Sequence, residues 1–415
     1  MMRLFWVGNA YPEAVKKVFC HLKHEGKDNL SYRELKANVD SYYINYFATG
    51  WCKALESIGY ETANVVMNAR PLQKIWLREN GVHERGLSLE DILLLQIKQY
   101  RPQIIFAADC CSAKLLRCVR NEVPSVKLII GWAGSAVAKD PAREEIWKTL
   151  DIILCCAPES VAVLKQEGAR AFHMNHAFPV DVRFSLTKDR TRHSSISFIG
   201  SLVRGKEYHL FREKLLLRLL DELPLDLYSP SASVTKKSLL KAIAAIGLYD
   251  MSRCFPERVR ENILSSLPMI GKICTRRERP FFPVNMNLYR RSLPAVFGME
   301  MFDALYDSDV VLNIHADSSP DFASNMRLYE ATGVGSCLLT DNKKNIADLF
   351  APDEEVVVYD SPDDCVEKAR WLIQHPQERE KIAEAGKKRC LQDHTYDNRV
   401  MEFDRIIRRV KQRGL

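Results

Sequence analysis

Residues 310–341 combine a strand, a polar loop, a short helix and a second strand, and this order strongly constrains the fold. The apolar run Val310–Ile314 predicts a buried strand that ends in the loop. The helix after the loop carries Asn325, Arg327 and Glu330, and two glycines end it before the second apolar strand. In an open parallel sheet, the end of such a strand and the start of the next helix meet where phosphorylated ligands bind.

The composition is typical of a folded protein with two domains. The chain has 415 residues, of which 47% are hydrophobic, so large cores can form. No apolar run approaches the ~20 residues that a membrane-spanning helix needs. The twelve cysteines include no C-x-x-C pair and no zinc-site spacing, which predicts reduced thiols in a cytoplasmic protein. The net charge of +7 suits an anionic substrate or a membrane surface.

The first half alternates short apolar segments with amphipathic ones. Strands are predicted at Arg3–Val7, Ala63–Met67, Gln103–Ala107, Lys127–Trp132 and Asp151–Cys155. Because these segments are apolar on both faces and are separated by helix-like sequence, they predict a parallel sheet with helices on both sides.

A second α/β domain is predicted after residues 177–193, which lose the apolar rhythm and gain charge. We therefore predict domains at 1–185 and 186–395, followed by a helix over 396–415. Residues 231–297 depart from the rhythm, because they contain two amphipathic helical patterns and a basic, aromatic run. They predict a helical insertion in the second domain.

Gly200 and Ser201 follow the first predicted strand of the second domain. A glycine there lets the backbone approach a ligand, and the next helix directs its N-terminus at any phosphate. Arg204 and Lys206 lie on the same loop and could neutralise a diphosphate. The alternative is a plain tight turn with solvated charges.

Arg327 and Glu330 are three residues apart on one helix, so an intrahelical ion pair is one explanation for them. The helix is otherwise apolar and is flanked by glycine, which predicts that it packs inside the domain. A carboxylate in such a place is suited to holding the hydroxyls of a ribose, and Asn325 begins the same segment.

Candidate catalytic residues follow predicted strands at their carboxyl ends, where ligand contacts concentrate. His315 and Asp317 follow one central strand, although a histidine bonded to the loop backbone is equally consistent. Asp109 follows another strand and could act as a general base or as a helix N-cap. His173 and His176 could face a cleft or pack at the hinge.

The sequence lacks the motifs that mark several other classes of enzyme. No G-x-G-x-x-G follows the first strand, and there is no G-x-S-x-G or Walker motif, which argues against dehydrogenases, hydrolases and P-loop NTPases. Asp307-Ser308-Asp309 matches the D-x-D pattern of some metal-dependent sugar transferases, but it precedes its strand at the opposite sheet edge. We predict no metal site.

Several segments in the second half resemble, in order, the C-terminal half of CgeB-like, spore-maturation-protein-type glycosyltransferases of the GT-B fold. The resemblance is dense over residues 295–400 and extends weakly to Phe198–Lys206. It is carried by Asn325–Gly333, Leu338–Asp341, Asp348–Phe350, Val356–Asp360, His375-Pro376, Glu378–Glu380, Ile382–Gly386 and His394–Tyr396.

This resemblance implies an α/β chain with two Rossmann-like domains facing a cleft. The first domain would bind the acceptor and the second a nucleotide-diphosphate sugar, without a metal or another cofactor. Positive side chains such as Arg204, Lys206 and Arg327 would stabilise the departing diphosphate. Glu330 matches the glutamate that binds the ribose in related transferases.

One departure leaves the stereochemistry open. Many retaining enzymes of this fold have a carboxylate eight positions before that glutamate, where this chain has Phe322. An inverting enzyme needs a base such as Asp109 or a cleft histidine, whereas a retaining one can use the donor phosphate. A sugar-nucleotide epimerase of the same fold and a non-catalytic scaffold remain alternatives.

The expected acceptor is a hydroxyl of a glycan, a lipid-linked saccharide or a protein, and no nucleic acid is expected as a partner. The arginines of 272–291 could contact a phosphorylated or lipid-linked acceptor at the inner face of a membrane. A solvated basic face is the simpler explanation for them.

Overall fold

The computed structural model describes residues 2–27, 30–107, 110–134, 141–186, 194–202, 209–262, 266–267, 270–317 and 319–412. The chain forms two compact units. The large unit comprises Met1–His193 and Phe297–Leu415, and the small unit comprises Ser194–Val296. The predicted boundaries, 1–185 and 186–395, stay a prediction.

The first half of the large unit is built on six parallel strands. They are β1 (Met2–Gly8), β2 (Tyr60–Val66), β3 (Ile104–Ala107), β4 (Leu128–Ala133), β5 (Ile152–Cys155) and β6 (Ala171–His173). Their spatial order is β2-β1-β3-β4-β5-β6. The first five match the predicted strands, and β6 was not predicted because three residues are too few to show a pattern.

Helices connect these strands. They are α1 (Pro12–His24), α2 (Tyr32–Ser41), α3 (Tyr46–Ser57), α4 (Arg70–Glu79), α5 (Leu89–Tyr100), α6 (Ala113–Glu122), α7 (Pro141–Trp147), α8 (Pro158–Gln166) and α9 (Val182–Ser185). The hydroxyls of Ser31, Ser88 and Ser112 accept hydrogen bonds from first-turn N–H groups and so begin α2, α5 and α6. Tyr43 has a left-handed backbone, with φ of 55°, and lies between the end of α2 and the start of α3.

The small unit begins with an α/β segment and continues with short helices. Its elements are β7 (Ser194–Ile199), α10 (Leu210–Glu222), β8 (Leu225–Tyr228), α11 (Lys236–Ser252), α12 (Glu257–Asn262), α13 (Gly271–Cys274), α14 (Met286–Arg291) and β9 (Ser292–Leu293). Strand β8 pairs in parallel with both β7 and β9. The helices α11 to α14 occupy the segment that was predicted to be a helical insertion.

The second half of the large unit returns to the alternating pattern. Its elements are α15 (Met299–Tyr306), β10 (Ser308–Asn313), α16 (Arg327–Val334), β11 (Cys337–Asp341), α17 (Ile346–Leu349), β12 (Val357–Tyr359), α18 (Pro362–Gln374), α19 (Pro376–Asp393) and α20 (Tyr396–Gln412). Strand β11 lies between β10 and β12 and is parallel to both. All five of its residues are buried, as expected for a parallel sheet covered on both faces.

Helices cover both faces of the six-stranded sheet. On one face, Trp6 of β1 shares a buried cluster with Trp51 of α3 and Phe403 of α20. On the other face, Ile105 of β3 lies in a cluster with Leu93 of α5. The last helix of the chain therefore packs on the first sheet. All these strands are parallel, so their carboxyl ends share one edge.

Candidate functional site

The loop between β10 and α16 is fixed by side-chain hydrogen bonds at the carboxyl end of β10. Asn313, the last residue of β10, donates from Nδ2 to Thr340 Oγ1 at 2.9 Å. Asn325 donates from Nδ2 to Asn313 Oδ1 at 2.6 Å. Among the described residues, no group hydrogen-bonds the buried Oδ1 of Asn325. That oxygen is therefore an acceptor at the start of α16.

Arg327 and Glu330 form a buried ion pair on the first turn of α16. Arg327 Nη1 lies 2.6 Å from Glu330 Oε2, and the two side chains are 13% and 3% exposed. The predicted intrahelical pair is thus present, but it is inside the protein rather than in solvent. A carboxylate this deeply buried requires paired partners, because the uncompensated charge would cost several kcal/mol.

A tyrosine from α3 supplies a second partner to Glu330. The Tyr46 hydroxyl donates a hydrogen bond to Glu330 Oε1. Burial, and then the nearby Glu330 carboxylate, raise the pKa of Tyr46 well above its usual value. Tyr46 therefore stays protonated and can act as a donor. Sequence reasoning missed this residue, because nothing local in the sequence distinguishes Tyr46 from a core tyrosine.

His315 follows β10 and is paired with Asp341 at the end of β11. Its Nδ1 lies 2.7 Å from Asp341 Oδ1, and its backbone N–H donates to the same oxygen at 3.1 Å. Burial raises the pKa of Asp341, but the neighbouring His315 and Lys343 lower it more, to about 2. This carboxylate orients the imidazole. The buried Nε2 has no hydrogen-bond partner in the part of the chain that the structure describes.

His176 lies after β6 between aromatic rings. Its ring centroid is 5.0 Å from that of Trp132 and 5.7 Å from that of Phe47. Burial, and then the positive charge of Arg399, lower the pKa of His176 to about 3. The imidazole is therefore neutral at physiological pH.

The remaining predicted residues are distributed over the chain. Gly200 and Ser201 belong to the small unit, whereas Asn325, Arg327 and Glu330 belong to the large one. A Cβ on Gly200 would lie 2.8 Å from the tip of the Phe198 ring, so a larger residue there would require this ring to move. Three further predicted site residues lie outside the described residues, namely Asp109, Arg204 and Lys206.

Glu159 is a carboxylate that the sequence analysis missed. It lies in the first turn of α8, directly after β5, and its Oε1 accepts a hydrogen bond of 2.7 Å from Ser319 Oγ in the β10–α16 loop. Its other oxygen, Oε2, is buried and unbonded within the described ranges. No pattern in the sequence singled it out, because it lies four residues beyond β5 in the first turn of a helix, where acidic residues are common.

Charged residues of the D-x-D pattern and of the basic run form ion pairs with other side chains. Asp309 of the D-x-D pattern lies 3.1 Å from Arg379 Nη2. Two arginines of the basic run are also paired: Arg279 with Asp250 at 2.7 Å, and Arg291 with Asp221 at 2.6 Å. In the residues that the structure describes, no helix has the length and apolar character needed to cross a membrane.

Comparisons with known proteins identify the fold. Residues 274–405 match a family model described as glycosyl transferase-like, which includes the β10–α16 loop and Glu330. No match was found among curated protein sequences.

Solved structures match the whole chain at low sequence identity. Sucrose-phosphate synthase from Thermosynechococcus elongatus is 9% identical, with a TM-score of 0.52 and 100% of both chains covered. HepE of Anabaena in complex with UDP-glucose is 9% identical, with a TM-score of 0.53, covering 97% of this chain and 99% of that one. An alpha-glucosyltransferase in complex with UDP-glucose and DNA is 10% identical, with a TM-score of 0.53 and 98% of both chains covered.

These matches confirm the predicted α/β fold, which is the GT-B fold of glycosyltransferases. The CgeB-like subtype stays a prediction. Residues 274–405 are glycosyl transferase-like in sequence, and the chain as a whole has the fold of enzymes that transfer sugars.

Proposed function

We propose that this protein is a glycosyltransferase that moves a sugar from a nucleoside-diphosphate donor to an acceptor hydroxyl. One observation carries the proposal: a buried Arg327–Glu330 pair on the first turn of α16, in the segment that matches the glycosyl transferase-like family. This is the part of a parallel α/β sheet where nucleotide ligands bind. The complexes of HepE and of the alpha-glucosyltransferase with UDP-glucose agree with such a donor.

The proposed roles follow from the charges of the side chains. The Glu330 carboxylate accepts hydrogen bonds from the ribose hydroxyls, and Tyr46 and Arg327 hold it in position. Arg327 stabilises the diphosphate as it leaves. Gly200 and Ser201 are proposed, from the sequence alone, as further donor-binding residues. Arg204 and Lys206 are proposed to add positive charge there. No metal ion and no other cofactor is needed in this scheme.

The proton acceptor has four candidates. Asp109, His176 and His315 are predicted from the sequence, and Glu159 is added by its contact with Ser319. His315 is the best oriented of the described candidates, because Asp341 binds its Nδ1 and leaves Nε2 as the acceptor. If the enzyme retains the anomeric configuration, none of them is required as a base. NMR analysis of the product anomer shows whether the enzyme inverts or retains the anomeric configuration.

Donor binding provides the test. We expect a nucleoside diphosphate or its sugar conjugate, at about 100 times its dissociation constant, to stabilise the protein by ~2.7 kcal/mol in a thermal-shift screen. Glu330→Gln should abolish this shift. Glu300→Gln is the control, because Glu300 is an exposed carboxylate in an ion pair with Lys17. A full shift in Glu330→Gln would contradict the proposed donor site.

The acceptor class is the least constrained part of the proposal. A glycan, a lipid-linked saccharide and a protein are the proposed classes, and residues 272–291 could contact a membrane surface. Incubation with donor alone separates a transferase from an epimerase, since only an epimerase converts the donor sugar without an acceptor. A scaffold would bind no nucleotide in the same screen.

A further inference from the structure

Helix α11 of the small unit presents an apolar face to solvent, which we call the α11 face. It consists of residues that recur at the spacing of one side of a helix, namely Leu240, Ile243, Ala244, Gly247 and Met251. Leu240, Ile243 and Met251 are 66%, 56% and 59% exposed. Among the described residues, a Cβ added to Gly247 would have no neighbour within 4 Å outside the backbone of its own helix. The face is therefore open along the helix.

Burial inside the protein does not explain the apolar character of α11. Two of its 17 residues are buried, Tyr249 and Ser252, and both lie near its C-terminal end. The stretch 238–248 contains a single charged residue, Lys241. A helix that is apolar on nearly all sides is normally buried, and an exposed apolar patch with a polar rim marks a surface that binds a partner. The α11 face therefore fits a contact surface.

The segment that contains the α11 face carries all of the excess positive charge of the chain. Residues 236–291 include twelve lysines and arginines but only four aspartates and glutamates, a net charge of +8, whereas the full chain carries +7. The remaining residues together are thus close to neutral. A partner for this segment should be anionic, because the positive field of the protein comes from here.

Positive side chains lie at both ends of the α11 face. Lys236 and Lys237 are exposed in the first turn of the helix. Positive charge there opposes the helix dipole, so these lysines do not stabilise α11 itself. At the other end, the Tyr249 hydroxyl donates to the carbonyl of Arg277 at 3.3 Å, and the Arg253 guanidinium lies 4.3 Å from the centroid of the Tyr249 ring. The side chains of both arginines are exposed.

A membrane surface with anionic lipids matches both the apolar face and the positive charge. The acyl chains accept aliphatic side chains, while lysines and arginines bind the phosphate of the headgroups. With 17 residues, α11 is about 25 Å long, so the whole α11 face can lie in the plane of such a surface.

Two other partners fit less well. A second copy of α11 packed on the first would place Lys236 and Lys237 against the same lysines or against the arginines of the opposite end, and like charges in contact are unfavourable. A nucleic acid would match the charge, but it is bound through its phosphates and by stacking of its bases on aromatic rings. It would leave Leu240 and Ile243 in water.

We propose that the α11 face docks on a membrane surface that contains anionic phospholipids. The side chains of Leu240, Ile243 and Met251 enter the acyl region, and Lys236 and Lys237 bind the headgroups. This surface extends to α11 the membrane contact suggested for residues 272–291, and it does not depend on the transfer reaction.

The test is co-sedimentation of the full chain with two kinds of vesicle, phosphatidylcholine alone and an equimolar mixture with phosphatidylglycerol. We expect binding to the mixed vesicles and not to phosphatidylcholine alone. Leu240→Gln/Ile243→Gln should weaken this binding by roughly 30-fold, because two aliphatic side chains no longer leave water. Lys236→Gln/Lys237→Gln should weaken it by at least about tenfold. The unfolding temperature of both variants should match that of the wild type, because all four residues are exposed.

Matched changes outside the α11 face are the controls. Phe184→Gln/Met401→Gln removes two exposed apolar side chains from the large unit and should bind the mixed vesicles as the wild type does. Glu330→Gln should also bind them normally, which separates this surface from the donor site.

Absence of binding to the mixed vesicles would overturn the proposal, and so would equal binding to phosphatidylcholine alone. Unchanged binding in Leu240→Gln/Ile243→Gln, or an equal loss in Phe184→Gln/Met401→Gln, would also overturn it. Analytical ultracentrifugation tests the second copy: a wild-type dimer that Leu240→Gln/Ile243→Gln converts to a monomer would assign the α11 face to self-association instead.

Discussion

At the scale of single residues, Glu330 is the most constrained side chain of the candidate site. Its carboxylate is 3% exposed and is bonded to Arg327 on its own helix and to Tyr46, 284 residues earlier in the sequence. Burying a carboxylate without such partners would cost several kcal/mol. The hydroxyl of Tyr46 thus helps to hold the Glu330 carboxylate in place.

Tyr46→Phe should lower the free energy of unfolding by about 1.5–3 kcal/mol, since a buried charged acceptor loses a hydrogen bond. The matched control is Tyr396→Phe. Tyr396 is also a buried tyrosine, but no described residue hydrogen-bonds its hydroxyl. Urea denaturation of both variants measures the effect. Equal losses in the two would contradict a specific role for the Tyr46 hydroxyl.

At the scale of elements, α20 connects the end of the chain to the first sheet. Its buried residues recur at helical spacing, and they include Phe403 and Ile407 in the cluster around Trp6. The opposite side of the helix is polar or exposed, as at Met401. An amphipathic helix of this kind is held by tertiary packing more than by its own propensity.

Phe403→Ala should therefore destabilise the large unit by about 3–5 kcal/mol, the usual cost of emptying a phenylalanine site in a core. Met401→Ala on the same helix is the control, because Met401 is 54% exposed. It should change stability by less than ~0.5 kcal/mol. Chemical denaturation compares the two, and similar values would show that α20 is not packed as described.

The start of α15 depends on a glycine with a left-handed backbone. Gly298 has φ of 56°, and a Cβ there would lie 2.0 Å from the carbonyl oxygen of Tyr42. That oxygen also accepts a hydrogen bond of 3.0 Å from the N–H of Met299. A side chain at position 298 would both strain the backbone and displace this contact.

Gly298→Ala should cost more than Gly81→Ala, which serves as the matched control. Gly81 has a similar φ of 67° but has no atom within 4 Å of its added Cβ. The backbone strain of an alanine in the left-handed region is about 1–2 kcal/mol. At position 298, where ψ is −130°, the strain should be at least as large. The clash should add about 1–3 kcal/mol at position 298 only. A thermal or urea unfolding series gives the difference, and no difference would refute the close approach of Tyr42.

At the scale of the whole molecule, buried histidines make stability depend on pH. The pKa of His176 is lowered to about 3 by burial, and that of His394 is lowered to about 4, also mainly by burial. The ordinary value of about 6.5 applies in the unfolded chain. As the pH falls below 6.5, the unfolded state takes up protons first, so the folded state loses stability.

Between pH 6.5 and pH 5, His176 alone should remove about 2 kcal/mol from the free energy of unfolding. His176→Phe should flatten this part of the pH profile, because a phenyl ring fits between Phe47 and Trp132 and does not titrate. His24→Phe, at an exposed position, is the control. An unchanged profile in His176→Phe would mean that the ring at position 176 is protonated in the folded protein as well.

Most elements could be predicted from the sequence, because their apolar residues repeat with the period of a strand or a helix. Strands β1, β3, β4 and β5 lie close to where the apolar runs placed them. The start of α3 at Tyr46 could not be predicted in this way, since the left-handed backbone at Tyr43 leaves no hydrophobic signature. The residue pair Arg327 and Glu330 could be predicted as well, because both belong to one short helix.

The sequence by itself determined the alternation of strands and helices, and it placed the polar residues around His315 and Glu330 at the end of a buried strand. Both depend on neighbours within a few positions. Only the tertiary structure decided that Tyr46 bonds to Glu330 and that Glu159 bonds to Ser319. Such contacts join residues that lie tens to hundreds of positions apart, and they form only when the packing of the core fixes which faces meet.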